Sequence, residues 1–165
     1  MANNKYCGTV ADYRPVSEDQ SRVVIMYDLK VKEDSELAEW YQVTFYKKKG
    51  VPTLEQVKQA VIQDINSRVK TAIISGFTYE GNPVWLSEEN QLNFSQAVTP
   101  ATLKIGEQQD GTPIYKTFID AAELKAFNDA CSLWRQQCLA EGYNKKDGID
   151  WAPYEAYFPI TTNAE

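Results

Sequence analysis

Histidine is absent from the 165-residue chain. With it go the commonest general base, the Ser-His and Cys-His nucleophile pairs, and the commonest ligand for zinc and haem. Cysteine is scarce: Cys7, Cys131 and Cys138 are an odd number, and none stands in a CxxC pair. A chain of this length buries roughly 70% of its unfolded surface and needs neither disulfide nor metal to fold, so the thiols read as packed side chains. Positive charge is in deficit as well, 17 Lys and Arg against 23 Asp and Glu, for a net −6. The general attraction to phosphate backbones is therefore missing, and nucleic acid is not an expected partner. Apolar runs are short. No window approaches the ~18 residues of a membrane span, and the polar Met-Ala-Asn-Asn-Lys start has no signal-peptide core, so the expectation is synthesis in the cytoplasm and no membrane partner.

What the chain does contain is ordinary for a globular protein, 43% hydrophobic and 24% charged residues, which argues for one core. The first 50 residues read as β. In RVVIMYDLKV (Arg22–Val31), Val23, Ile25, Tyr27, Leu29 and Val31 share one parity and form an apolar face. Residues 40–47 repeat the alternation with Tyr41, Val43 and Phe45, and Glu33-Asp34-Ser35-Glu36 supplies a polar hairpin connection. Residues 5–10 are a third, short candidate strand. Lys47-Lys48-Lys49-Gly50 then closes the meander; the lysines read as a solvated loop, with an anion or membrane patch as the functional alternative.

Thr53 and Gln56 form a capping box, and Leu54, Val57, Val61, Ile65, Val69 and Ile73 recur at the spacing of an amphipathic helix, with Gly76 in the place of an αL cap. Aromatic and β-branched residues flank Glu-Gly-Asn-Pro (residues 80–83) as in a hairpin, and Ser87 caps a short helix reaching Phe94. Asp110-Gly111 marks a second hairpin between residues 103–105 and 114–118. A second long helix begins near Asp120 with the stripe Leu124, Phe127, Cys131, Trp134 and Cys138, closed by Gly142. Beyond it, Trp151-Ala-Pro-Tyr-Glu-Ala-Tyr-Phe-Pro reads as extended. The predicted class is α+β: an antiparallel β unit (1–50), two long amphipathic helices separated by β-hairpins (51–142), and an extended aromatic tail (143–165) attached to one compact unit.

Catalytic signatures are missing. Placing Gly148 at the sixth position of a calcium loop puts Tyr143 first and Tyr154 twelfth, which supplies neither carboxylate. Glu88 and Glu89 are adjacent on a helix and diverge. The segment between Gly106 and Gly111 cannot cradle phosphate, and no GxSxG elbow exists. Cofactors: none expected; catalytic and metal residues: none. Aromatics are 12% of the chain. Trp134, Trp40 and Trp85 read first as core. The rings of the tail have to be buried somewhere, first on the chain's own domain and alternatively on another subunit or partner; in that alternative Trp151, Tyr154, Tyr157 and Phe158, with Tyr79 and Trp85, form the candidate interaction surface, because exposed rings mark contact sites.

Residues 73–93 (IISGFTYEGNPVWLSEENQLN) resemble the core motif of a domain-of-unknown-function family found in bacteriophage and prophage tail-fibre-associated proteins. That motif has a helix ending in Gly-Phe, an aromatic, a glycine turn, an apolar strand and a polar helix bearing Gln and Asn. The resemblance spans about residues 53–142; the β-rich start and the aromatic tail have no counterpart in it. It implies a non-enzymatic virion subunit, fibre-associated, adaptor or decoration, that contacts other phage structural proteins and copies of itself. Two alternatives stand beside it: a host-recognition module stacking Trp85, Tyr79 or Trp151 on a glycan, and a hydrolase using carboxylates such as Asp147 and Asp150.

Overall fold

The computed structural model describes residues 5–158. The α+β class holds, with antiparallel strand pairing throughout. The chain falls into two compact units, one comprising residues up to 65 together with those from 145, the other residues 66–144.

In the first unit, β1 (Lys5–Thr9), β2 (Val16–Glu18), β3 (Arg22–Val31) and β4 (Leu37–Tyr46) make a sheet of order β1-β4-β3-β2. Val23, Ile25 and Tyr27 are buried on one face, paired with Phe45, Val43 and Tyr41 as the alternation requires. The Tyr27 hydroxyl donates to the Asp64 carboxylate. This sets the first half of α1 (Leu54–Ser75), with buried Val57, Val61 and Ile65, against that face. Strict alternation stops at Asp28, whose φ of 58° belongs to a bulge that shifts the register between Tyr27 and Lys30. Val31, expected on the apolar face, is consequently exposed. β4 starts three residues earlier than its pattern suggests, because Ala38 and Trp40 are buried on the opposite face, where the Trp40 ring meets Tyr13 edge-on at 6.1 Å.

Thr53 and Gln56 cap α1 reciprocally, at 2.9 and 3.3 Å. At the other end of α1, in the second unit, the cap differs from expectation. Gly76 is not left-handed; it is glycine because a Cβ there would lie 2.6 Å from the Ala72 carbonyl and 3.0 Å from Trp134. The terminal carbonyls are satisfied through space: the Trp134 indole donates to Ala72 at 3.1 Å, and the Leu86 N–H to Ile74 at 2.9 Å.

The second unit continues with β5 (Phe77–Tyr79), β6 (Asn82–Val84), α2 (Glu88–Gln96), β7 (Ala101–Glu107), β8 (Pro113–Phe118) and α3 (Ala121–Asp147). Glu80 and Gly81, at φ 50° and 78°, make the two-residue turn between β5 and β6. The two hairpins meet where the Trp85 N–H donates to the Ile105 carbonyl at 2.8 Å. Their core is Val84, Leu86, Phe94, Ile105, Phe118, Leu124, Phe127 and Cys131. Phe127 is its centre, with the rings of Tyr79, Phe94 and Phe118 at 5.0, 5.1 and 5.1 Å. Gly142 does not end α3. It is buried inside the helix, where a Cβ would meet a Val69 methyl at 2.5 Å, so this glycine admits a close neighbour and the helix runs five residues further.

The expected extended tail is corrected over 152–157. Those residues form α4 (Ala152–Tyr157), with a proline in the first turn, where its missing N–H costs no helical bond. α4 lies against β2 in the first unit. The remainder of the expected tail, residues 159–165, lies outside the described residues.

Candidate functional site

The six rings expected to form an interaction surface are not used alike. Tyr154 is 2% exposed, and its hydroxyl donates to the Met26 carbonyl at 2.6 Å, an acceptor shared with the Tyr13 hydroxyl at 3.1 Å. Burial raises both tyrosine pKa values above the ordinary range. Phe158 is buried as well. The candidate surface is corrected at these two positions: an amphipathic turn, unlike an extended segment, can aim residues four apart into the same core. Trp151 is half-buried, edge-on to Tyr154 at 5.6 Å, with the Lys58 ammonium 5.5 Å from its ring centre. Lys58 also pairs with Glu155 at 2.9 Å, which fixes α4 to α1 within the first unit. Tyr157, 40% exposed, remains available.

In the second unit, Tyr79 stands edge-on to Phe127 and is covered by Lys116, 5.7 Å from its ring centre. Lys116 pairs with Glu80 at 2.9 Å and Glu123 at 3.0 Å, bonds that raise its pKa. Tyr79 is therefore a partly buried ring packed against the core, with the Lys116 ion pairs beside it. Trp85 goes the other way. Expected first in the core, it is 40% exposed, because the chain leaving β6 turns Val84 and Leu86 inward and leaves the residue between them outside.

The carboxylates considered for hydrolysis do other work or none that the structure pairs. Asp150 accepts the Ala152 N–H at 3.0 Å, and Asp147 is exposed at the end of α3. Glu88 and Glu89 occupy the first turn of α2 behind the Ser87 cap, whose hydroxyl accepts the Asn90 N–H at 3.2 Å. Among the described residues no group of three or more Cys, Asp or Glu could hold a metal, and no helix is long and apolar enough to cross a membrane.

The concavity that sequence reasoning missed lies between α2 and α3, a groove of about 610 Å³. Leu86, Phe94 and Cys131 line its apolar part, Leu92 stands exposed at its edge, and Asn128, Ser132 and Arg135 line the α3 side. Its polar groups hold the two helices together. Asn128 donates to the Phe94 carbonyl at 3.1 Å, Arg135 to Gln91 at 2.7 Å, and Gln91 in turn to the Leu86 carbonyl at 2.6 Å. Burial pushes the Cys131 thiol up to about 12, so it is protonated at neutral pH and no nucleophile. The groove can receive a side chain or a segment of polypeptide. A signal for it existed: Asn128, Ser132 and Arg135 recur at i, i+4 and i+7, the polar flank beside the predicted apolar stripe.

Residues 56–163, about two-thirds of the chain, match the family described as a domain of unknown function (DUF4376). The match begins inside α1, takes in both hairpins, and continues through α3 and α4, so the aromatic segment beyond 142, which had no counterpart in the resemblance, lies inside the matched span. No curated protein and no solved structure matches the chain.

Proposed function

We propose that this chain, which belongs to the DUF4376 family, is a non-enzymatic structural subunit of a bacteriophage virion, fibre-associated, adaptor or decoration, working through protein–protein contacts. The observation that carries the reading is the string 73–93. Its resemblance to the tail-fibre-associated motif falls on residues that form one continuous passage: the end of α1, β5, the Glu80-Gly81 turn, β6 and α2. The rings of that passage brace the core through Phe127 and Trp134, at 5.0 and 6.0 Å. In this chain the motif thus packs its rings on the core and leaves Trp85 and Leu92 exposed.

Surface chemistry supports the same role. Trp85, Leu92, Val98, Tyr115 and Ile119 are large apolar side chains exposed on the second unit, more than isolated surface leucines explain, and such surface favours association. The net charge of −6 suits contact with proteins better than with nucleic acid. The test is composition of the particle. Virions of the phage or induced prophage encoding the chain, purified on a density gradient and analysed by mass spectrometry, are expected to contain it in stoichiometric amount. Its confinement to the soluble lysate would overturn the proposal.

A glycan-binding role is favoured most by Trp85, which is exposed. A Trp85→Ala variant that loses retention on a host-glycan array while keeping its fold would favour that reading.

A further inference from the structure

We infer that the chain associates with copies of itself head to tail, the acidic tip of the β3–β4 hairpin of one copy entering a basic groove at the opposite end of the same hairpin in the next. The inference deepens the structural role proposed above and rests on it only for its biological setting.

Both surfaces lie in the first unit. The groove, about 310 Å³, is lined by Phe45, Tyr46, Lys49, Val51, Pro52 and Gln56, among others. Tyr46 and Val51 are each more than half exposed, an unusual amount of open apolar surface beside three consecutive lysines. Lys47 is paired with Glu18, whereas no ion pair among the described residues engages Lys48 or Lys49. The nearest acid on α1, Glu55, accepts a hydrogen bond from Gln59 at 2.9 Å. In a chain of net charge −6, this end is locally positive and apolar.

The tip has the complementary character. Glu33, Asp34 and Glu36 crowd into the four residues of the turn, and no ion pair among the described residues neutralises them. Val31 and Leu37, each more than half exposed, flank them. The register places these two on opposite faces, Val31 opposite Ala38 and Leu37 opposite Thr9, so the tip is a wedge apolar on both sides and acidic at its point. It is also held in shape. Lys32 N–H donates to the Leu37 carbonyl at 2.9 Å, Leu37 N–H to the Ser35 hydroxyl at 3.1 Å, and Val10 N–H to the Glu36 carbonyl at 2.8 Å. Little ordering is left to oppose binding.

The charge match and the geometry together choose the occupant. Ten-residue strands separate tip and groove by about 30 Å, so one chain cannot satisfy both with itself, and a second copy can. The contact joins two different patches, which makes it heterologous: repeated, it closes into a ring or extends as a filament. Exposed ion pairs steer and align such a contact more than they tighten it, so the association is expected to be weak and to weaken further with salt.

Sedimentation velocity of the full chain tests this. The wild type is expected to self-associate as its concentration rises through about 100 μM, the range of a weak protein contact, and less so in high salt. K48E/K49E and E33K/E36K, all exposed and none at a left-handed backbone position, are each expected to raise the dissociation constant about tenfold or more. The chain carrying both sets is expected to recover the wild-type constant within about threefold, since all the pairs are restored with reversed sign. A wild type monomeric at every concentration, an assembly indifferent to both reversals, or no recovery in a folded double variant would each overturn the inference. Leu37→Ser supplies a charge-independent variant, expected to weaken association at any ionic strength; no effect counts against the wedge. A chain found in virions yet monomeric alone removes this contact and leaves the structural role standing. Assembly by this contact in a chain absent from virions does the reverse.

Discussion

Replacing Tyr154 by alanine is the sharpest test of where the carboxy-terminal segment belongs. If residues 151–158 were an arm kept for partners, the change would sit on a surface and alter stability by about 0.5 kcal/mol or less. The structure says otherwise. Tyr154 is 2% exposed in the first unit, and its hydroxyl reaches the Met26 carbonyl on β3, 128 residues away in sequence. Truncating a buried aromatic leaves a cavity that its neighbours fill only in part, which costs about 3–5 kcal/mol. Tyr154→Phe separates the ring from the hydroxyl. Met26 keeps its bond from Tyr13, so the phenylalanine variant should lose only about 1 kcal/mol. The assay is urea unfolding followed by circular dichroism, combined with hydrogen exchange read on peptides covering β2 and β3, because two compact units need not melt together. Loss of protection in β2 and β3 for alanine, near wild-type protection for phenylalanine, is the expected pattern. An alanine variant within about 0.5 kcal/mol of wild type, with unchanged exchange in those strands, would refute the reasoning.

Three further changes probe the second unit. Phe127→Ala removes the ring on which Tyr79, Phe94 and Phe118 converge and is expected to cost about 4–5 kcal/mol in urea unfolding, against about 0.5 kcal/mol or less for Val98→Ala on the surface. Gly106→Ala would put a Cβ 2.2 Å from the Pro83 carbonyl, a backbone atom that cannot swing aside; a loss of about 2–3 kcal/mol is expected, and a neutral result would mean the hairpins separate freely there. Cys131 gives a pH dependence. Its folded pKa, raised to about 12 by burial, lies above the ordinary 9.0, so above pH 9 the unfolded state holds fewer protons and stability falls as pH rises, by up to about 1.4 kcal/mol per unit, while below pH 9 the contribution is complete. The stability gap between wild type and Cys131→Ala should therefore narrow from pH 8.5 to pH 10.5; a constant gap would show a thiol that ionises equally in both states.

Local pattern was enough for elements whose partners are near in sequence or whose signals are chemical. The capping box at Thr53 and Gln56, the 3-and-4 stripes of α1 and α3, the turns at Gly81 and Asp110-Gly111, and the Ser87 cap all follow from spacing and side-chain type. The α+β class follows from their order. Elements that exist only because something distant covers them were not legible. Nothing local announces that the Asp28 bulge turns Val31 outward, that Gly76 and Gly142 are glycine to admit Trp134 and Val69, or that three residues at Val16–Glu18 pair as an edge strand.

The aromatic tail shows the same division most plainly. Its composition required rings to be buried somewhere, as Tyr154 and Phe158 are while Tyr157 stays 40% exposed, and its two prolines suggested extension. Only the sheet offering a carbonyl at Met26 and the lysine at position 58 made a helical turn the better solution for Tyr154 and Trp151. Sequence alone thus determined the long helices and strands and most of their apolar faces, because propensity and hydrophobic spacing act over a few residues. Tertiary structure alone decided against what each is buried, which rings stay outside, and where grooves form, because those depend on surfaces contributed by residues tens of positions apart.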